Sequence, residues 1–208
     1  GQSQELKNFP EIASVLASMQ EAVKRADIII QDLMNLSRPR DLERVPHNLN
    51  EVIEHSLVLV KTLLDKNRIE VVKNFAQEIQ TAKIDFNRMV QVFVNLFTNA
   101  AHAMREGGKL TIRTYSASSP VEKIGVEVED TGKGIPPEAL SMIFEPFFTT
   151  KRDQGGTGLG LPIIRKIIEL HEGTVTLENK KSGGVKVSIL LPAQLAVKEK
   201  SASRMDKN

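Results

Sequence analysis

The sequence predicts an α+β domain with helices packed on one face of a mixed, largely antiparallel sheet, preceded by one long bundle helix. Three observations carry this expectation. Residues 109–116, 123–130, 174–178 and 185–191 are short apolar-alternating runs that fall into two pairs, joined around Pro120 and Lys180-Lys-Ser-Gly-Gly184 as antiparallel hairpins are. Segments 51–66, 86–104 and 161–171 carry helical periodicity and sit between the strands without the regular alternation of a parallel α/β fold. Residues 12–36 hold an apolar seam that steps by three and four without a slip.

Composition sets the outer bounds. The 208 residues are 40% hydrophobic and 26% charged, enough for one sizeable core and an appendage. Lys and Arg number 28 against 26 Asp and Glu, and the resulting +2 excludes nucleic-acid binding driven by bulk charge. With no Cys there is no disulfide framework, thiolate zinc site or cysteine nucleophile. No apolar run approaches the roughly 20 residues that span a bilayer, and the first residues have no signal-peptide pattern. The chain opens on Gly1 and is expected to be an excised, cytoplasmic piece of a longer protein, whose parent can be membrane-anchored.

In chain order, Ile12, Val15, Met19, Ala22, Ala26, Ile29, Leu33 and Leu36 form the seam, with Leu16, Val23 and Ile30 widening it beyond a two-stranded zipper toward one helix of a bundle. Pro10 suits its first turn and Pro39 stops it. A polar connector over 40–49 follows, and Asn50 is placed to cap the helix 51–66. Residues 68–73 read as a short strand. The third helix spans 86–104, and a Gly- and Pro-rich stretch, 131–160, holds one short helix near 138–143. The division expected is therefore 1–40 for the bundle helix, 45–192 for the α+β domain and 193–208 for a charged, disordered tail.

Three anomalies carry chemistry. The first lies on the third helix, which is apolar over most of its circumference but has Arg88, Gln91, Asn95, Asn99 and His102 on one stripe. A helix so apolar is buried, so the stripe faces either a polar neighbour or a solvated pocket. Asn95 and Asn99 present amide oxygens one turn apart; neutral oxygens hold Mg²⁺ poorly unless phosphate oxygens complete the set. The alternative is an Asn pair satisfied by backbone.

The second is Asp130. Ile124, Val126 and Val128 alternate inward, and position 130 continues that face. A carboxylate there costs several kcal/mol unless something donates to it (about 2–7 for a polar group). Thr131-Gly-Lys-Gly134 lets backbone approach a flat ligand closely. Asp130 could accept from the exocyclic amine of adenine, where guanine would present a carbonyl. The alternative is an Asp that caps its own turn.

The third is Gly155-Gly-Thr-Gly-Leu-Gly-Leu161, which runs straight into a helix: glycine N–H groups and a helix N-terminus make a generic phosphate cradle. It follows neither the Walker nor the G-x-G-x-x-G pattern. Lys151 and Arg152 supply nearby charge, and residues 144–157, flanked by Phe144, Phe147 and Phe148, are expected to form a hinged lid anchored by the aromatics. The alternative is a flexible surface loop. Lys133, Lys180 and Lys181 are expected to be solvated surface.

Taken together, residues 50–192 resemble the ATP-binding domain of sensor histidine kinases, within the superfamily that includes gyrase, Hsp90 and MutL. Asn95-Leu-Phe-Thr-Asn99-Ala-Ala is similar to the family's N box and Asp130-Thr-Gly-Lys-Gly134 to its G1 box. Phe144-Glu-Pro-Phe-Phe-Thr-Thr-Lys151 resembles the F box of a nitrogen-regulation-like subgroup, and Gly156-Thr-Gly-Leu-Gly160 the G2 box. Residues 26–39 resemble the end of the second helix of the dimerisation and phosphotransfer hairpin, which accounts for the wide seam. The resemblance implies a Bergerat-type ATP-binding sandwich and ATP/ADP with Mg²⁺ as cofactors. Asn99 and Asn95 would hold Mg²⁺ and phosphates, Asp130 the adenine amine, and Gly132, Gly134 and Ile135 the base. Thr150, Lys151, Gly156, Thr157, Gly158, Leu159, Gly160 and Leu161 would close over the triphosphate, with Asn95, Asn99 and Lys151 as the catalytic set. His102 stands where many relatives carry Lys; if it meets phosphate, affinity falls as it deprotonates above about pH 6.5. The last glycine motif departs from the family's Gly-Thr-x-Phe, reading Gly183-Gly-Val-Lys-Val and so lacking a possible hydroxyl contact.

The implied activity is transfer of the ATP γ-phosphoryl to a His, and from there to an Asp of a response regulator receiver domain. The family's phosphoacceptor is a His followed by an acid and, soon after, a Pro; His47, His55, His102 and His171 all lack that context. The implied partners are therefore the phosphoacceptor helix of the parent kinase and the receiver domain, with a possible homodimer through residues 10–37 and no nucleic acid. This chain alone is expected not to autophosphorylate. The gyrase and Hsp90 branch places a Glu near the position of Asn95 to activate water, and the amide here favours phosphoryl transfer to protein over ATP hydrolysis. Two rivals stand beside this: a degenerate kinase acting as a nucleotide-binding scaffold through lid motion, and a serine/threonine-directed relative such as an anti-sigma-factor kinase, against which the seam helix counts.

Overall fold

The computed structural model describes residues 42–79, 81–118, 122–150 and 156–194, together with isolated positions between 12 and 34. The described N-terminal positions, Ile12, Val15, Leu16, Met19, Ala22, Val23, Ala26, Ile30 and Met34 among them, are helical with exposed side chains. Ile29, Leu33, Leu36, Pro10, Pro39 and the tail from 195 lie outside the described residues.

The chain divides into two compact units. One comprises Leu42–Ile135 and Ile167–Asn208, the other Gly1–Asp41 and Pro136–Lys166. The first holds the sheet. Its elements are β1 (Val45–His47), α1 (Leu49–Lys66), β2 (Ile69–Asn74), β3 (Ala82–Ile84), α2 (Phe86–Ala103), β4 (Gly108–Ser118), β5 (Glu122–Glu129), the last turn of α3 (Gly160–Leu170), β6 (Thr174–Asn179) and β7 (Val185–Pro192). Five strands form a sheet in the order β2-β4-β5-β7-β6, with β2 parallel to β4 and every other pair antiparallel. The expected mixed, largely antiparallel sheet is thus the one found.

Strand alternation decides which side the helices cover. Leu110, Ile112, Ile124, Val126, Val128, Val187, Ile189 and Leu191 are buried on one face, opposite the buried stripes of α1 (Leu49, Val52, Ile53, Leu57, Val60, Leu64) and α2 (Met89, Val92, Phe93, Leu96, Phe97, Ala100, Ala101). The other face is polar: Arg113, Glu127 and Lys186 meet there in a chain of ion pairs at 3.7 and 3.0 Å. The Glu127 carboxylate raises the Lys186 pKa above its ordinary value by hydrogen bonding and charge. Lys180 is not the solvated cation expected, because its ammonium lies 2.7 Å from Glu129 and only 22% of its side chain is exposed.

Two sequence expectations need correction. Asn48, not Asn50, caps α1, its side chain accepting from the Asn50 N–H at 2.9 Å. The Asn50 amide is spent elsewhere: it donates to Ala76 O and accepts from the buried Thr114 hydroxyl, tying α1 to β4. The connector before α1 also contains β1, which pairs with β3 through Val45↔Ile84 and His47↔Ala82. Three residues a side, with Pro46 in the middle, are too few to show an alternation.

In the second unit, the short helix expected near 138–143 is a 3₁₀ turn over Pro137–Ala139. Pro136 O, Pro137 O and Ala139 O each accept from the N–H three residues on, the 3₁₀ pattern that a Pro-Pro start favours. Ala139 and Ile143 are buried. The first part of α3, Gly160–Lys166, belongs to this unit, with Leu159, Ile163 and Ile164 fully or nearly buried.

Candidate functional site

The polar stripe on α2 exists as expected. Asn95 and Asn99 are half-buried, one turn apart on one helix face, while His102 is exposed in the last turn. Asp85 starts this helix: its Oδ1 accepts from Arg88 N at 3.1 Å and its Oδ2 from Glu43 N at 3.3 Å. The backbone N–H of Asp85 donates to Nε2 of buried His171 at 2.9 Å, and His171 Nδ1 donates to Ile167 O at 2.7 Å. An Nε2 that accepts a backbone N–H belongs to a neutral imidazole.

Burial lowers the His171 pKa below its ordinary 6.5, aided by the charge of Arg44 and opposed by the Ile167 carbonyl and Asp85. The unfolded chain therefore binds a proton that the folded chain refuses. The stability His171 contributes is complete above about pH 6.5 and is lost as pH falls toward the folded pKa. Chemical denaturation of wild type and His171→Gln should show a shallower loss of stability between about pH 7 and 5 in the variant. Equal slopes would remove His171 as the titrating group.

Asp130 directly follows β5 and is 8% exposed, continuing its inward alternation. Its Oδ1 accepts from Gly132 N at 2.7 Å and from Val185 N at 3.3 Å, and its own N–H donates to Val185 O at 3.0 Å. The inward, buried placement is as expected, and the carboxylate also makes the turn-capping bond that the sequence offered as the alternative to a ligand contact. A Cβ on Gly132 would stand 2.7 Å from the Ala103 Cβ and 2.9 Å from Asp130 Oδ1. Gly132 is therefore what lets the turn press against the end of α2, and Thr131 N meets Met104 Sδ at 3.4 Å there. The structure so brings Asp130 and Gly132 to the end of α2 that carries Asn99 and His102, whereas Gly134 lies against Asn179 and Gly184 of the β6–β7 hairpin. Ile135 closes the turn with both of its backbone polar groups bound to the Asn179 amide.

In the other unit, Gly156, Thr157 and Gly158 lead into α3 at Gly160, and Leu159 N donates to Thr157 Oγ1 at 3.3 Å. Phe147 N donates to Gly158 O at 3.1 Å. Gly158 has φ +71°, and a Cβ there would stand 2.5 Å from the Phe147 carbonyl carbon, so only glycine suits this contact between the Phe-rich run and the glycine loop. The aromatics do not all serve as anchors. Phe144 lies under the Arg165 guanidinium at 5.6 Å, whereas Phe147 is 54% exposed. Thr150 is exposed, Leu161 begins the helix within its first turn, and Lys151 lies outside the described residues.

Sequence reasoning did not single out Asn179, and it gave His171 no role beyond rejecting it as a phosphoacceptor. A lone Asn at a strand end and a lone His at a helix end carry no spacing signal, because their partners are 44 and 86 residues away.

The chain belongs to the histidine kinase-, DNA gyrase B- and HSP90-like ATPase family, whose model matches residues 84–195. Its relatives include the sensor histidine kinase ZraS of Salmonella typhi, 35% identical over 182 residues, covering 88% of this chain and 38% of that protein. Sporulation kinase C of Bacillus subtilis is 35% identical over 172 residues, covering 82% of this chain and 39% of that protein. This chain thus spans well under half the length of these relatives. Among solved structures, the catalytic domain of histidine kinase ThkA is 38% identical with a TM-score of 0.65, over 73% of this chain and 97% of that one. ThkA in complex with the response regulator protein TrrA is 32% identical with a TM-score of 0.73, over 88% of this chain and 52% of that one.

Proposed function

We propose that this chain is the ATP-binding catalytic portion of a two-component sensor histidine kinase, which transfers the ATP γ-phosphoryl to a His on the phosphoacceptor helix of its parent. The observation that carries the reading is Asp130, a buried carboxylate held at a glycine turn against the end of the Asn-bearing helix. In this reading the Asp130 carboxylate accepts from the adenine amine, Gly132, Gly134 and Ile135 flank the base, and Asn95 and Asn99 address Mg²⁺ and phosphate. Thr150, Lys151 and residues 156–161 close over the triphosphate, with the N–H groups of the glycine loop and the start of α3 as donors.

The donor set fits a metal that arrives with its nucleotide. Among the described residues no group of three or more His, Cys, Asp or Glu could hold an ion alone, and two amide oxygens suit Mg²⁺ only beside phosphate oxygens. Bound there, Mg²⁺ would neutralise charge on the phosphates. The residues named here bind, orient and exclude water, and among them none is placed as a base. His171 is buried with both ring nitrogens bonded, which disfavours it as a phosphoacceptor.

The receiver domain of a response regulator is the downstream partner this reading implies, and residues 10–37 the homodimer contact. No helix among the described residues is long and apolar enough to cross a membrane; the cytoplasmic placement belongs to the kinase reading itself. The test is label transfer from γ-labelled ATP. The chain alone should retain no label, and adding a separate hairpin with the phosphoacceptor His from the parent should produce labelled hairpin. Nucleotide binding without transfer would make the chain a regulatory scaffold.

A further inference from the structure

We propose that Asn179 is a positioning residue for the base-binding turn, an inference that rests on the nucleotide site proposed above. The residue lies at the end of β6, on the far hairpin from the turn it grips. Its Oδ1 accepts from Ile135 N at 2.9 Å and its Nδ2 donates to Ile135 O at 2.6 Å, so one side-chain amide binds both backbone polar groups of Ile135. An Asn amide mimics a peptide in this role, giving the turn a two-bond ladder contact where no strand is present.

The turn needs such a clasp. Gly132 and Gly134 give residues 130–135 conformational freedom, and Gly134 sits at φ +75° with its absent Cβ 3.1 Å from Asn179 Oδ1. The opposite end of the turn is held by the same hairpin: Asp130 exchanges backbone and side-chain bonds with Val185, and Lys180 N donates to Gly184 O at 2.9 Å to close the loop between Asn179 and Val185. The β6–β7 hairpin is therefore a bracket, with Val185 fixing the carboxylate end of the turn and Asn179 fixing the Ile135 end. Asn179 is exposed, so its side chain can be removed without opening a cavity.

Titration calorimetry with adenosine, ADP and a non-hydrolysable ATP analogue on wild type, Asn179→Ala and Asp130→Asn tests this. Asn179→Ala should melt within a few degrees of wild type and weaken all three ligands by one common factor, about tenfold for the net loss of two hydrogen bonds that order the turn. The Mg²⁺ dependence of ATP-analogue binding should not change, because the phosphate end is untouched. If Asp130→Asn loses binding while Asn179→Ala matches wild type, the site stands and the clasp is overturned. Unequal losses among the three ligands with a large drop in melting temperature would also overturn it, as a general structural effect. If folded wild type binds none of them, the nucleotide site itself fails, a result distinct from either.

Discussion

Replacing Asp130 by Asn should weaken ADP binding by about tenfold to a hundredfold or more, while leaving the chain folded. A hydrogen bond to a charged group contributes about 1.5–3 kcal/mol, and each 1.4 kcal/mol is about tenfold in affinity. The substitution separates the turn contacts of this residue from the adenine contact proposed for it. An Asn oxygen in the place of Oδ1 can still accept from Gly132 N and Val185 N, so the turn is kept. Its NH₂ group would then face the adenine amine, donor against donor. Discrimination against guanine should fall with it, because the variant amide can donate to the guanine carbonyl that the carboxylate repels. Calorimetric titration of ADP and GDP, with thermal melting to verify the fold, reads both effects. Unchanged ADP affinity in a folded variant would leave Asp130 as a turn cap alone.

The largest effect on stability is expected at Gly184. This residue has φ +84°, and a Cβ there would run into the Asp130 carbonyl oxygen and carbon. Gly184→Ala therefore incurs two costs: about 1–2 kcal/mol for the left-handed backbone and about 1–3 kcal/mol for forcing the two chain segments apart. Its neighbour separates the two. Gly183 has φ +92° with nothing within 4 Å of its absent Cβ, so Gly183→Ala incurs the backbone cost only. Chemical denaturation of the pair should show Gly184→Ala the less stable by about 1–3 kcal/mol. Gly184→Ala should also lose nucleotide affinity, since the displaced atoms belong to Asp130, whereas Gly183→Ala should not. Equal losses of stability would mean that backbone conformation alone requires glycine at both positions.

These expectations rest on parts of the fold that were unequally legible. Helix α2 was readable because burial of Val92, Phe93, Leu96 and Phe97 must recur at helical spacing, and the same spacing isolates the Asn95–Asn99 stripe. The inward placement of Asp130 followed from the alternation of Ile124, Val126 and Val128, which a strand imposes on every second residue. Asn48 and Asn50 are both competent caps, so local sequence does not decide which of them starts α1. Only the neighbour of each amide, Asn50 N for one and Ala76 O with Thr114 for the other, separates them.

Local periodicity and glycine spacing, properties of contiguous chain, were thus enough to determine the strands of the five-stranded sheet, the helices α1 to α3, the order of the Asn-, Asp- and glycine-bearing motifs and the family they resemble. Tertiary structure alone decided which backbone groups hold those motifs in place. The pairing of β1 with β3, the His171 bond to the start of α2, the close approach of Gly184 to Asp130 and the Asn179 grip on Ile135 all join residues that are dozens of positions apart. A hydrogen bond or a van der Waals approach depends on distance in space, and a single Asn, His or Gly carries no mark in sequence of the partner that folding will bring to it.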